Sequence, residues 1–200
     1  MIKIYGSKRS SAMRCIWFAE ELGLDYEIVE VDFQKGEHKT PEYLKINPNG
    51  KVPTMVDGDF ALWESLAICY YMMEKKEAVE FVGINAHEHG LVNQWNIWAV
   101  IHLYGDAFAP LVLQKWRGAP DTDATKLALE TNLPRFLGIL EERLTGREYV
   151  ALDQFTLADL TIMSVVQSYK FIGYDMGNYS NINAWMNRIS ERESYKKVTQ

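Results

Sequence analysis

Two junctions in this chain combine residue types that could hold or polarise an anion. Ser10 and Ser11 close a polar turn that begins at Gly6 and precedes a helical pattern. A hydroxyl donor placed there works beside free backbone amides and the positive end of a helix dipole. The same hydroxyls also serve as plain helix caps. Glu64-Ser65 stands where a β-prone run passes into helical spacing, and such a junction receives carboxylates and phosphates readily. Read by itself, it is a helix start with an acid in its first turn. His38, Lys39 and Lys51 put cations in polar loops, which solvated charge explains without any ligand. Tyr5 falls inside the first strand, and Cys15 lies on the apolar stripe five residues past Ser10, so both read as packing residues.

These residues need elements to hold them in place. Ile2 to Tyr5 is β-prone, and Ala12, Cys15, Ile16, Ala19 and Leu22 recur with helical spacing up to Gly23. Tyr26 to Val31 alternates as a strand, and Pro41 to Ile46 reads as a short helix. Thr54 to Val56 and Phe60 to Leu62 flank a hairpin turn at Asp57-Gly58-Asp59, and a further helix runs from Glu64 through Met73. The resulting order, β-α-β-α-β-β-α, joins a crossover half to a hairpin half and so mixes parallel with antiparallel strands. That is the thioredoxin-like arrangement, and it spans residues 1–76. A linker is expected over 77–86, and 87–200 reads as an all-α bundle. There Leu91, Trp95, Trp98 and His102 share one helix face and Val92, Ala99 and Leu103 a neighbouring one, Pro134 should kink the helix carrying Leu129 to Leu144, and Phe155 to Leu160 forms a capping box with a hydrophobic staple.

Composition narrows the class. At 48% hydrophobic and 24% charged, the chain has the makings of a buried core. Its net charge of -6 argues against a broad phosphate-binding surface, and so against nucleic acid. Met1 is followed directly by a strand pattern, and no secretory signal or uninterrupted apolar run of about 18 residues is visible, so no membrane association is expected. Cys15 and Cys69 have neither CxxC nor ligand spacing, and His87 and His89 do not share a helix face, which leaves no expected metal and points to a reducing cytoplasm.

Taken in order, several motifs resemble the soluble glutathione transferases, most nearly the phi and theta-like serine-type classes, over essentially the whole chain. They are Ile2-Lys3-Ile4-Tyr5-Gly6 with Ser10-Ser11, Gly36-Glu37-His38-Lys39, Asn47-Pro48-Asn49-Gly50-Lys51-Val52-Pro53, Asp57-Gly58-Asp59-Phe60, Glu64-Ser65-Leu66-Ala67-Ile68, and Phe155 to Leu160. The resemblance implies a thioredoxin-like domain that binds glutathione as cosubstrate, with no separate cofactor, and a helical domain that receives a hydrophobic electrophile. It also implies a cytoplasmic homodimer acting in detoxification.

Residue roles follow from the resemblance alone. Ser10 matches the serine that stabilises the glutathione thiolate, with Ser11 as its neighbour should the loop be shifted by one residue. Val52, before a cis Pro53, would pair its backbone with glutathione's cysteine. Ser65 would take the γ-glutamyl carboxylate and Glu64 the α-amino end, while His38, Lys39 and Lys51 would meet the glycine carboxylate. Trp98, Tyr104, Phe108 and Trp116 are candidates to line the electrophile site, although aromatic residues at helical spacing are more often core. Dehalogenation, peroxide reduction or isomerisation on the same site stays open, as does a non-catalytic transferase-fold binding module. The presence of Ser10, Val52-Pro53 and Glu64-Ser65, and the absence of an added domain before Gln200, weigh against the last.

Overall fold

In the computed structural model, which describes residues 1–200, Ile2 and Ile4 are buried while Lys3 between them is exposed. A strand with one covered face requires that alternation. Strands β1 (Ile2–Tyr5), β2 (Tyr26–Val29), β3 (Thr54–Asp57) and β4 (Phe60–Trp63) form one sheet in the order β2-β1-β3-β4. β1 pairs parallel to β2 and antiparallel to β3, and β3 turns back into β4 through the two-residue loop Gly58-Asp59. Helices α1 (Met13–Glu21), α2 (Pro41–Ile46) and α3 (Ser65–Lys76) complete the β-α-β-α-β-β-α order. Ile16 and Phe18 of α1, Ile68 and Met72 of α3, and Met55 of β3 are fully enclosed, so the packing of two helices on the sheet forms this unit's core.

The second unit, Glu80–Glu191, is helical: α4 (Ala86–Trp98), α5 (Ala109–Arg117), α6 (Asp123–Leu127), α7 (Leu133–Arg143), α8 (Leu157–Val166), α9 (Tyr169–Ile172) and α10 (Ser180–Ser190). Asn85 caps α4 by accepting the amides of His87 and Glu88, and Thr122 caps α6. A π-helical stretch, Ala99–Phe108, joins α4 to α5, and another, Ala128–Asn132, precedes α7. Each stands just before a helix carrying proline in its first turn, Pro110 or Pro134. Proline has no amide to donate and its ring crowds the carbonyl four residues back, so a wider turn accommodates it. The kink expected at Pro134 is thus a π stretch.

The helix Ala86–Arg117 is long and apolar enough by composition to cross a membrane, which a search for an uninterrupted apolar run overlooks. Its Val92, Ala99, Leu103, Ala107 and Phe108 are buried, and the helix packs on α7 and α8 as the centre of the bundle. At the start of α8, the Thr156 amide and hydroxyl both donate to Asp159, whose carboxylate also accepts Val150 N–H and Trp185 Nε1–H. Burial raises the Asp159 carboxyl above the usual range even against these donors.

Helix α11 (Glu193–Thr199) departs from the periodicity-based assignment of everything after residue 86 to the bundle. Arg192–Gln200 groups with Met1–Val79, because Val198 is buried and Tyr195 stacks edge-on against Trp17 of α1 with ring centroids 4.9 Å apart. An amphipathic pattern records that a face is covered, and leaves open which partner covers it.

Candidate active site

Gly6 ends β1 at φ +132°, a value favouring glycine, and a Cβ there would lie 2.6 Å from Ala12 Cβ and 3.3 Å from Val52 Cβ. The strand end, the serine turn and the proline loop therefore meet at one point. Within the turn, Ser10 Oγ accepts the amides of Ser7 and Ala12, both at 3.2 Å, and donates to the Ser7 carbonyl at 2.9 Å. Ser11 Oγ is exposed and donates to the Val52 carbonyl at 2.8 Å. The two neighbouring hydroxyls are thus held differently. The oxygen of Ser10 is fixed by two amides wherever its own proton points, whereas that of Ser11 is fixed only through its proton.

Val52-Pro53 is a cis peptide. The loop before it hangs on a buried polar cluster: Tyr43 Oη and Asn47 Nδ2 both donate to the Lys51 carbonyl, at 2.7 and 2.8 Å, and both bond Thr54 Oγ1 at 2.9 Å. Asn47 Oδ1 in turn accepts the Asn49 amide. Gly50 turns at φ +57°, and a Cβ there would lie 2.7 Å from Lys39 Nζ and 2.8 Å from the His38 carbonyl. The Lys39 ammonium and the His38 backbone therefore lie against the turn that leads into Lys51 and the proline loop. Lys39 Nζ reaches the Asn49 carbonyl at 3.5 Å, while the His38 ring lies against Phe33 at 4.5 Å with Nδ1 buried and without a hydrogen-bond partner.

Glu64 takes φ 74° and ψ 118°, an unusual conformation for a residue with a side chain, immediately before Ser65 opens α3. Two side chains of α1 support that junction. Arg14, almost fully buried, donates Nη1–H to Ser65 Oγ, and Cys15 Sγ lies 3.5 Å from the Ser65 carbonyl. Burial, reinforced by neighbouring Cys69, pushes the Cys15 thiol well above its ordinary value, so it stays a protonated packing group. Tyr5 packs edge-on to Tyr43 with ring centroids 5.9 Å apart.

One unit therefore carries the serine turn, the cis-proline loop, the cationic loop and the Glu64-Ser65 junction. Arg14, Tyr43, Asn47 and Thr54 are the supports that reading the sequence missed. A charged residue on an apolar stripe is ordinarily taken as exposed, and a loop asparagine as solvated. Their only signal was polarity in a segment that otherwise packs. Among the aromatic candidates of the helical unit, Phe108 is fully buried and belongs to the core, Trp98 packs against Trp95 and Phe136, and Tyr104 and Trp116 are exposed.

Residues 2–74 match the family described as glutathione S-transferase, N-terminal domain, and residues 100–193 its C-terminal domain. The probable glutathione S-transferase GSTF2 of Oryza sativa subsp. japonica is 34% identical over 206 residues, covering 98% of this chain and 95% of the relative. Glutathione S-transferase 1 of Zea mays is 36% identical over 205 residues with the same coverage. Among solved structures, glutathione transferase F2 from Populus trichocarpa superposes with a TM-score of 0.89 at 33% identity, covering 100% of this chain and 97% of that one. A glutathione S-transferase-I bound with lactoylglutathione gives 0.87 at 36% identity, covering 98% and 97%. With both family domains matched in order and full-length relatives above 30% identity, the chain belongs to the glutathione S-transferase family of enzymes.

Proposed function

We propose that the chain conjugates glutathione to hydrophobic electrophiles, with Ser10 as the donor that stabilises the attacking thiolate. The observation that carries this reading is the pair of amides on Ser10 Oγ. They keep the oxygen in place while its proton swings from the Ser7 carbonyl to a sulfur, and by donating to that oxygen they polarise its O–H. Redirecting the Ser11 proton instead releases Val52 and leaves that hydroxyl unanchored. Lowering a thiol pKa by about 2 units takes about 3 kcal/mol. A hydrogen bond to a charged group contributes about 1.5–3 kcal/mol and a helix N-terminus up to about 2 kcal/mol, so the two suffice together.

In this reading Val52 pairs its amide and carbonyl with the cysteinyl backbone of glutathione, and Pro53 sets the bend that presents them. Ser65 takes the γ-glutamyl carboxylate at the start of α3, with Glu64 toward the α-amino group. His38, Lys39 and Lys51 meet the glycine carboxylate, a reading supported for Lys39 by its ammonium at the Gly50 turn. Glutathione is a cosubstrate, and no metal takes part. Exposed aromatic side chains of the helical unit, Tyr104 and Trp116, receive the electrophile. Residues 1–76 and 87–200 act as glutathione-binding and helical domains joined by 77–86, except that 192–200 serve the first. The enzyme works as a cytoplasmic homodimer in detoxification.

Steady-state kinetics with an activated aryl halide test the assignment. Ser10→Ala should lower kcat/KM about 10- to 100-fold, the loss expected when one hydrogen bond to a developing anion is removed, and Ser11→Ala by less than about 5-fold. The reverse pattern moves the role to Ser11, and full activity in both variants removes serine from the mechanism.

A further inference from the structure

Helix α11 lies antiparallel to α1 and is tied to it at both ends of the catalytic turn's support. At the far end, the Glu21 carboxylate, only 7% exposed, accepts Arg192 Nε and Nη2 at 2.7 and 2.8 Å and is closely bonded by Ser194 Oγ. Trp17 Nε1 is shared between Glu21 and Ser194, and Tyr195 stacks on the Trp17 ring. At the near end, Lys8 Nζ donates to the Lys197 carbonyl at 3.0 Å, and Lys8 lies inside the turn that Ser7 and Ser10 close on each other. The last turn of α11 leaves carbonyls without helical partners, and a lysine is well suited to accept that role.

A helix moves as a rod, so a tie at Glu21 fixes the tilt of α1 and hence the amide of Ala12 that holds Ser10. Lys8 fixes the same turn from its other side. Fully hydrogen-bonded clusters of this kind set one geometry more narrowly than apolar packing does, and misplacement of a reacting group by about 1 Å costs up to about 100-fold in rate.

We propose that α11 is a positioning strap for the serine turn, with Arg192, Ser194 and Lys197 acting through Glu21, Trp17 and Lys8 to hold Ser10 at the glutathione sulfur. The proposal rests on Ser10 being the thiolate donor. It concerns reactivity as well as folding: loosening the strap raises the pKa of bound glutathione and leaves the peptide-binding contacts at Val52 and Ser65 in place.

A double-mutant cycle tests it in the full chain. Arg192→Gln, Trp17→Phe, Lys8→Met and Ser10→Ala are made singly, and each strap variant is also combined with Ser10→Ala. The readouts are KM for glutathione, kcat and the acid-limb midpoint of the rate–pH profile at saturating glutathione. Each strap variant should lower kcat at pH 6.5 by about 3- to 10-fold, move the acid limb upward and leave KM within about 2-fold, and these effects should vanish in the Ser10→Ala background. Lys8→Met keeps the aliphatic stem of an exposed side chain and removes its donation to Lys197, so it reports even if Arg192→Gln, or Trp17→Phe with its trimmed buried ring, fails to fold. A lowered Tm with kcat and the acid limb unmoved makes α11 a plain brace and overturns the proposal, as does additivity with Ser10→Ala. Failure of the serine assignment itself is seen separately, as a Ser10→Ala single variant with an unshifted acid limb.

Discussion

The two units of this chain are organised by different interactions. In the first, the groups that matter are fixed by polar contacts, most between residues far apart in sequence: Ser11 to Val52, Arg14 to Ser65 and Glu21 to Arg192, with the shorter-range Asn47 to Thr54 across the proline loop. In the second, long helices bury an apolar face, and large side chains such as Ile97, Ile101, Trp116 and Leu127 remain exposed. A directional contact specifies its partner's type and place, so the first unit has little freedom to vary without losing its site. An exposed apolar side chain on a packed helix specifies little, and that is where a family can change what it accepts while keeping its fold.

The contrast is broken most severely in the core of the helical unit. Phe108→Ala should cost about 3–5 kcal/mol in denaturant unfolding, whereas Trp116→Ala, at 66% exposure, should change stability by less than about 0.5 kcal/mol and show its effect in the KM for the electrophile. Equal losses at both positions would erase the distinction between core and open aromatic residues. Next in size, Gly6→Ala forces a positive φ and a clash with Ala12, and should cost about 2–4 kcal/mol and most of the activity. Unchanged activity would separate the serine turn from the strand end. Asn47→Ala removes the donor to both Lys51 and Thr54 and should cost about 1–3 kcal/mol while raising KM for glutathione, as glutathione-concentration series would report.

The smallest effect concerns pH. Lys75 and Tyr71 hold the Asp57 carboxyl below the usual carboxylate range. A depressed folded pKa stabilises the fold above the unfolded value of about 4, and the contribution is lost as pH falls below it. Asp57→Asn should therefore lower Tm slightly at pH 7 and flatten its decline below about pH 4, with an effect under about 1 kcal/mol at this partly solvated site. An unchanged acid slope in the variant would assign that decline to other groups.

Much of the first unit was legible in the sequence because punctuation and chemistry coincide there. Gly58-Asp59 gives the hairpin, Pro41 opens α2, and Glu64-Ser65 begins α3 one residue after β4 ends. The ends of elements were less clear: β2 stops at Val29 rather than Val31, and α3 continues to Lys76 rather than ending at Met73. What the sequence could not convey was pairing at a distance. No local pattern pairs Arg192 with Glu21, and none marks Arg14 as a buried donor to Ser65. The π stretches were invisible because proline announces a disturbance without saying how the backbone absorbs it.

The central claim, that one turn of the first unit turns glutathione into a nucleophile, is tested most directly by the ultraviolet thiolate absorbance of bound glutathione titrated from pH 5 to pH 10. Wild type should lower the thiol pKa by about 2 units from its solution value, Ser11→Ala should retain most of the shift, and Ser10→Ala should abolish it. Bound glutathione that keeps its solution pKa in the wild-type protein would contradict the account.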